Sequence, residues 1–221
     1  MSDWFQSLAE GVHEVFEVRN QARDRALMQA RQLTRCCAQA IRAIHRGDRP
    51  LADENLCEAR RLVQSLQQDL AAYPDLYFAG YTQDAIKEYA EASVTVAVIC
   101  NETPPLPGDL GVEYATYLNG LAEVGGELRR RCLDILRQGY SDEAERLLAC
   151  MDDIYNLLIT VDYPDALTNG LRRQTDLARG ILERTRGDLT ISLQEERLQR
   201  AMGNLQQRLA DGAGNANDSR L

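Results

Sequence analysis

A chain of 221 residues, of which 44% are hydrophobic and 27% charged, is long enough to bury one core and has an ordinary globular composition. Its net charge of -9 and pI near 4.8 argue against a generic nucleic-acid-binding domain, because such domains are usually basic. No apolar run reaches the roughly 18 residues of a membrane-spanning helix, and the start does not resemble a secretory signal, so we expect a cytoplasmic protein with no membrane partner.

The chain is rich in Ala, Leu, Arg, Glu and Gln, which favour helix, and its six prolines lie where a helical pattern would begin or be interrupted. Ser141 is a suitable N-cap, and Ser192 followed by Glu195 resembles a capping box. We therefore predict an all-α domain over residues 1–210 and a disordered tail over 211–221. Its seven predicted helices cover about residues 3–46, 50–72, 75–101, 110–138, 142–161, 164–187 and 192–209.

Two pairs of glutamates have the spacing that places both members on one face of a helix. Glu88 and Glu91 are three residues apart in the third predicted helix, and Glu123 and Glu127 are four apart in the fourth. Like charges at these spacings destabilise an isolated helix slightly, and Mg²⁺ or Mn²⁺ would offset that cost because both ions prefer carboxylate oxygens. Spacing alone also allows four ordinary surface glutamates.

Arginines cluster on several of the predicted helices and could contact a phosphate backbone. Three lie roughly on one face of the first helix, one follows the second glutamate pair, and two begin the sixth helix. Because Glu and Asp are interspersed among them, a solvated, salt-bridged surface is the alternative. The candidate RNA-binding residues are Arg31, Arg35, Arg42, Arg130, Arg172 and Arg173.

Four stretches of the sequence resemble the translin and translin-associated factor X family, in the family's order and over roughly residues 15–190. They are IRAIHRGD (41–48), YTQDAIKEYAEA (81–92), YLNGLAEVGGELRR (117–130) and YPDALTNGLRRQTD (163–176). The resemblance implies a seven-helix bundle that assembles into a hollow octameric barrel with single-stranded nucleic acid inside. The factor X branch of this family carries the nuclease activity, whereas translin lacks a complete acidic site.

Carried over by motif, the catalytic site of the factor X branch maps onto Glu88, Glu91, Glu123 and Glu127. The resemblance implies a Mg²⁺- or Mn²⁺-dependent endoribonuclease that cuts single-stranded RNA with low sequence specificity. Glu88, Glu91 and Glu127 would hold the metal, while Glu123, usually Asp in that branch, would complete its shell or orient the water. The implied partners are single-stranded RNA or DNA, and either further copies of the chain, forming an octamer, or a translin-like partner subunit.

Other functional classes fit the sequence less well. A catalytically silent, translin-like RNA- or DNA-binding protein would explain the arginines but would give the four glutamates no role. An all-α nucleotide pyrophosphohydrolase also uses helical carboxylates with Mg²⁺, but its acidic pairs normally lie closer in sequence than positions 91 and 123. A ferritin-like di-metal oxidase needs Glu-x-x-His elements, of which the chain has one partial match. Two histidines, and six cysteines without a CxxC pair, also disfavour a zinc site.

Overall fold

The computed structural model describes the backbone of residues 2–218 and the side chains of residues 2–209. All regular secondary structure within these residues is α-helical, which confirms the predicted fold class. None of the described helices is both long and apolar enough to cross a membrane. The helices are α1 (Ser2–His45), α2 (Arg49–Asp69), α3 (Pro74–Tyr77), α4 (Gly80–Ile99), α5 (Pro107–Leu110), α6 (Tyr114–Leu136), α7 (Asp142–Leu158), α8 (Asp165–Thr168) and α9 (Leu171–Asp218).

The ends of α1, α2 and α7 agree with the sequence prediction to within a few residues, because local signals specify them. After α1, Gly47 adopts a left-handed conformation with φ of 77°. Asp48 then caps α2, since its Oδ1 accepts a hydrogen bond from the backbone N–H of Leu51 at 3.1 Å. Ser141 is the N-cap of α7, and its Oγ accepts a hydrogen bond from the Glu143 N–H at 3.2 Å.

The predicted third, fourth and sixth helices differ from the structure, because a separate four-residue helix begins within three residues of each predicted start. These short helices are α3, α5 and α8. Pro74 and Pro107 open α3 and α5 at a position where the missing N–H is tolerated. Gly111, with φ of 67°, ends α5, and Asn169, with φ of 51°, ends α8. A left-handed residue cannot continue an α-helix, so α6 and α9 begin a few residues later than predicted.

The predicted sixth and seventh helices are one continuous helix, α9, so the capping box expected at Ser192 and Glu195 does not form. No proline separates the two predicted segments, and Gly187 costs a helix only about 1 kcal/mol relative to alanine. The backbone of 211–218 also continues α9, where a disordered tail was predicted, because extending an existing helix costs far less than nucleating one. Residues 219–221 of that predicted tail lie outside the described residues.

The core is built around α4, which packs between α1 and α6, while α2, α7 and α9 cover the remaining sides of these helices. The middle of α4 is buried all round and rich in small residues, among them Ala90 and Ala92. Where α6 crosses α4, a Cβ on Gly120 would lie 2.6 Å from the Lys87 carbonyl oxygen and 3.2 Å from the Glu91 nitrogen. The two backbones are therefore in direct contact at Gly120.

We expect Gly120→Ala to destabilise the protein by about 1–3 kcal/mol, since the methyl group would separate two packed helices. Denaturant unfolding of both variants measures this. Gly126→Ala on the same helix is the matched control, because a Cβ there would have nothing within 4 Å. Alanine at position 126 should raise the stability by up to about 1 kcal/mol through helix propensity. Equal effects of the two substitutions would contradict the close contact.

Candidate metal centre

Three carboxylates converge next to the α4–α6 crossing. Glu88 and Glu91 project from one turn of α4, and Glu123 lies one turn after Gly120 on α6. One ligand oxygen from each of the three lies within 4.8 Å of the other two. Glu91 is buried, whereas Glu88 and Glu123 are partly exposed. Such a set of hard oxygen donors, reachable from solvent on one side, suits Mg²⁺ or Mn²⁺.

The acidic cluster is electrostatically strained without a cation. Burial raises the pKa of Glu91 from 4.5 to about 8, and the negative charges of Glu88, Glu123 and Glu127 add to this rise. Burial also raises the pKa of Glu88, although the Lys87 ammonium opposes it. The metal-free protein therefore keeps a proton on Glu91 at neutral pH, at a position where a divalent cation could replace it.

Glu127 has a different environment from the other three glutamates. Its Oε2 lies 2.6 Å from Nε2 of His45, the last residue of α1, and 3.6 Å from the Arg130 guanidinium. The His45 side chain is only 3% exposed. The hydrogen bond from His45 lowers the pKa of Glu127 below its ordinary value, despite partial burial, and Arg130 contributes further. Glu127 is thus an oriented, ionised carboxylate beside the cluster.

Glu123 also has two protein partners. Lys87 Nζ donates a hydrogen bond to Glu123 Oε1 at 2.7 Å, and Gln174 Nε2 on α9 donates to the same oxygen at 3.1 Å. Burial alone would lower the pKa of Lys87, but the hydrogen bond and the neighbouring charges of Glu123 and Glu88 raise it. Lys87 therefore remains an ammonium ion in the site and neutralises part of the negative charge of the cluster.

All four predicted glutamates lie in one region, but the grouping differs from the predicted metal ligands Glu88, Glu91 and Glu127. The converging set is Glu88, Glu91 and Glu123, while Glu127 pairs with His45. The roles of His45 and Gln174 were not predicted from the sequence, because they lie 82 residues from Glu127 and 51 from Glu123. The one signal was indirect, since both lie within the stretches that resemble the family.

The six predicted RNA-binding arginines are distributed over three helices, and Arg130 is the one that contacts a glutamate of the site. Arg31 and Arg35 are exposed on α1. Arg42 lines a groove of about 770 Å³ between α1 and α2, together with other arginines and acidic residues. Arg172 lies 3.5 Å from Asp162 and lines a groove of about 660 Å³ between the end of α7 and the start of α9. Arg173 is exposed beside it, at the start of α9.

Comparison with known proteins gives relatives over most of the chain, although no family model matches the sequence. An uncharacterised protein of Methanocaldococcus jannaschii, MJ0175, is 33% identical over 190 residues, which cover 85% of this chain and 84% of the relative. The crystal structure of AfC3PO and the structure of the AfC3PO–duplex RNA complex are each 33% identical, with a TM-score of 0.76, and cover 86% of this chain and 98% of theirs. Apo-NeC3PO, at 20% identity and a TM-score of 0.76 over 83% of this chain, shows a likeness of fold alone.

The raised pKa of Glu91 leads to an expected pH dependence of stability. A carboxyl group whose folded-state pKa is raised binds a proton more tightly in the folded protein than in the unfolded chain. Its contribution to the free energy of unfolding is therefore fully present below pH 4.5 and is lost as the pH rises towards 8. In the presence of a chelator, the free energy of unfolding should therefore fall between pH 5 and pH 8 more steeply for wild type than for Glu91→Gln. Thermal or urea unfolding at several pH values measures the difference. Parallel curves for the two proteins would contradict the burial of an ionisable carboxyl.

Proposed function

The chain belongs to the translin and translin-associated factor X family, and we propose that it is a metal-dependent endoribonuclease that cuts single-stranded RNA with low sequence specificity. The observation that carries the proposal is the convergence of Glu88, Glu91 and Glu123, with Glu91 buried so that its pKa is raised to about 8. A purely structural acidic surface would not place a carboxyl group where its ionisation is so unfavourable. The similarity to AfC3PO, whose structure with duplex RNA is known, supports RNA as the ligand.

The residues present fit a Mg²⁺ or Mn²⁺ ion. Glu88, Glu91 and Glu123 would hold it, in place of the Glu88, Glu91 and Glu127 set expected from the family. When bound, the ion would polarise a phosphoryl oxygen and increase the acidity of a water molecule. Lys87 donates a hydrogen bond to Glu123 in the structure. If Lys87 contacted the phosphate instead, the Glu123 carboxylate would be free to bind the ion. All three carboxylates would then be available to the ion.

Glu127 and two cationic groups account for the remaining steps. Glu127 is ionised and has one oxygen fixed by His45, so its other oxygen can accept a hydrogen bond from water and orient it towards phosphorus. Lys87 on one side and Arg130 on the other carry positive charge that would stabilise the transition state. These groups recognise phosphate and not bases, which accounts for low sequence specificity. The neighbouring Arg129 instead forms a salt bridge from α6 to Asp188 of α9 at 2.7 Å.

We further propose that the chain works as part of an assembly. Several copies of the chain, eight if the family pattern holds, or copies together with a translin-like partner subunit, would enclose the nucleic acid in the cytoplasm. Arg31, Arg35, Arg42, Arg172 and Arg173 would contribute phosphate contacts from within such an enclosure. This arrangement would let a protein with a net charge of -9 bind RNA, because phosphate responds to the local potential.

A catalytically silent RNA-binding protein is the second candidate, and one observation favours it. Lys87 and His45 already occupy oxygens of Glu123 and Glu127 at 2.7 and 2.6 Å. These pairs neutralise part of the acidic cluster without a metal. In this reading the glutamates would be structural, and bound RNA would remain intact.

Cleavage of a labelled single-stranded RNA with Mg²⁺, with Mn²⁺ and with EDTA tests the proposal. We expect cutting by wild type with either metal, none with EDTA, and a loss of more than about 100-fold in Glu91→Gln, since even outer-shell residues of metal sites are worth about 10- to 100-fold. Glu113→Gln, an exposed glutamate at the N-cap of α6, is the matched control and should cut normally. Fluorescence anisotropy in EDTA should show the same RNA affinity for all three. Binding without cutting by wild type in both metals would favour the silent RNA-binding protein.

A second prediction concerns His45 as the group that positions Glu127. His45→Ala should lower the cleavage rate by about 10- to 100-fold, while His45→Gln, whose amide can still donate to the carboxylate, should recover part of it. Unfolding curves separate this effect from a loss of stability, and the RNA affinity in EDTA should not change. Equal rates for wild type and His45→Ala would show that Glu127 needs no such partner.

A further inference from the structure

A small pocket, here called the polar pocket, lies next to the acidic cluster, between the first halves of α4 and α6 and the start of α9. Its volume is about 120 Å³, and every residue that lines it is polar or charged. Asp84 of the pocket precedes Glu88 by four residues on α4, and Asn119 precedes Glu123 by four on α6. The polar pocket therefore lies one helical turn, about 5.4 Å, before the cluster on both helices.

The polar pocket and the acidic cluster share a wall. Lys87 and Gln174 both line the pocket, and both donate hydrogen bonds to Glu123 Oε1, at 2.7 and 3.1 Å. In a nucleic acid the sugar is bonded directly to the phosphate, whereas the edge of the base lies farther away. A nucleotide with its phosphate at the cluster would therefore bring its sugar to this pocket.

The Asn119 side chain forms the buried part of the polar pocket. It is only 6% exposed, and its Nδ2 donates hydrogen bonds to the backbone carbonyls of Ala115 and Thr168, both at 2.8 Å. Because an amide nitrogen has two hydrogens, both are used, and Oδ1 is left as the acceptor of this side chain. The pocket thus holds a buried oxygen that needs a hydrogen-bond donor.

Another wall of the polar pocket is fixed before any ligand binds. Gln83 Nε2 donates to the Tyr77 carbonyl at 2.9 Å, and Gln83 Oε1 accepts from Thr116 Oγ1 at 2.6 Å. Both ends of the Gln83 amide are therefore held by the protein. A wall that is already ordered costs a ligand little entropy on binding.

The groups that remain free select the chemistry of the ligand. Asn119 Oδ1, Gln174 Oε1 and the Asp84 carboxylate are all acceptors, so the ligand must donate. A phosphate offers only acceptor oxygens and would be repelled by Asp84. A base would need an aromatic wall on which to stack, and the residues that line this pocket include no aromatic ring. A sugar hydroxyl meets these conditions, because it is small and both donates and accepts.

We propose that the polar pocket binds the 2′-hydroxyl of the ribose next to the scissile phosphate, and so makes the site selective for RNA over DNA. The hydroxyl donates to Asn119 Oδ1, and Asp84 and Asn169, both exposed at the mouth, hold the ribose in place. The 2′-hydroxyl is the group by which a protein distinguishes RNA from DNA. This assignment rests on the proposed function, which places the phosphate at the acidic cluster. It is compatible with low sequence specificity, since every ribonucleotide carries the same hydroxyl.

A labelled single-stranded RNA with one 2′-deoxynucleotide tests the pocket, because the other bonds of the same strand are internal controls. With Mg²⁺, wild type should cut the bond next to the deoxynucleotide about three- to tenfold more slowly than in the all-ribose strand, which is the effect of one hydrogen bond. A 2′-fluoro group should be no better than 2′-deoxy, because fluorine cannot donate. A 2′-fluoro strand cut as fast as the all-ribose strand would overturn the assignment of the pocket oxygens as acceptors.

Asp84→Ala with Asn169→Gly, here called the pocket variant, removes two partners of the ribose and should reduce the ribose-to-deoxyribose ratio to less than about twofold. Both side chains are exposed, and glycine tolerates the φ of 51° at position 169, so the fold should persist. A change in the charge of the site alone would slow both strands equally and leave the ratio unchanged. Asn119→Ala should also reduce the ratio, although it leaves the Thr168 carbonyl without this donor.

Asp153→Ala with Asn101→Gly is the matched control and should keep the wild-type ratio. Asp153 is exposed on α7, and Asn101 is another left-handed residue, with φ of 57°, in the turn after α4. Equal cutting of the two strands by wild type, or a ratio that the pocket variant leaves unchanged, would overturn the polar pocket and leave the nuclease intact.

Fluorescence anisotropy in EDTA gives a readout that does not depend on cutting. Wild type should bind single-stranded RNA about three- to tenfold more tightly than DNA of the corresponding sequence, whereas the pocket variant should bind the two equally. If wild type shows this preference but never cuts, the nuclease is wrong and the polar pocket stands. Equal affinity of wild type for RNA and DNA would overturn the pocket.

Discussion

The contact between the backbones of α4 and α6 at Gly120 is the constraint on which the rest of the site depends. With no side chain at this position, the Lys87 carbonyl and the Glu91 amide approach α6 to distances that a Cβ could not tolerate. Glu123 and Glu127 follow Gly120 by one and two helical turns, so the crossing brings the carboxylates of both helices together. A wider separation of the helices would leave the same four glutamates on two unrelated surfaces.

The electrostatics of the site follow from this forced proximity. Each helix brings two acids to the crossing, and the protein compensates two of them with its own groups, Lys87 for Glu123 and His45 for Glu127. Glu91 lies deepest, and its pKa of about 8 shows that the compensation does not extend to it. The compensation of negative charge is therefore weakest at the position farthest from solvent.

Local patterns predicted the helical class and drew attention to two glutamate pairs, because helix propensity and spacing within one turn are properties of neighbouring residues. The assignment of all four glutamates to one site came from the resemblance to the family. The short helices α3, α5 and α8 were not predicted as separate elements. Left-handed residues, Gly111 and Asn169, end α5 and α8, and the sequence pattern did not distinguish these conformations. The break expected at Ser192 was wrong because a capping pattern can also occur within a helix. The partners of Glu127 and Glu123 could not be predicted, because they come from helices distant in sequence and depend on how the bundle packs.

The acidic side chains of the site and those of the surface have different effects on binding. At the site, ionised glutamates would repel a phosphate, so RNA can approach only when protons, Lys87, Arg130 or a metal ion offset their charge. Residues 2–18 of α1 are exposed and carry four acidic residues and no Lys or Arg, so their charge is open to screening by water and salt. The net charge of -9 therefore sums the partly compensated acids of the site and the solvated acids of the surface. The total charge does not argue against RNA binding, because a phosphate responds to the local potential of the surface that it meets.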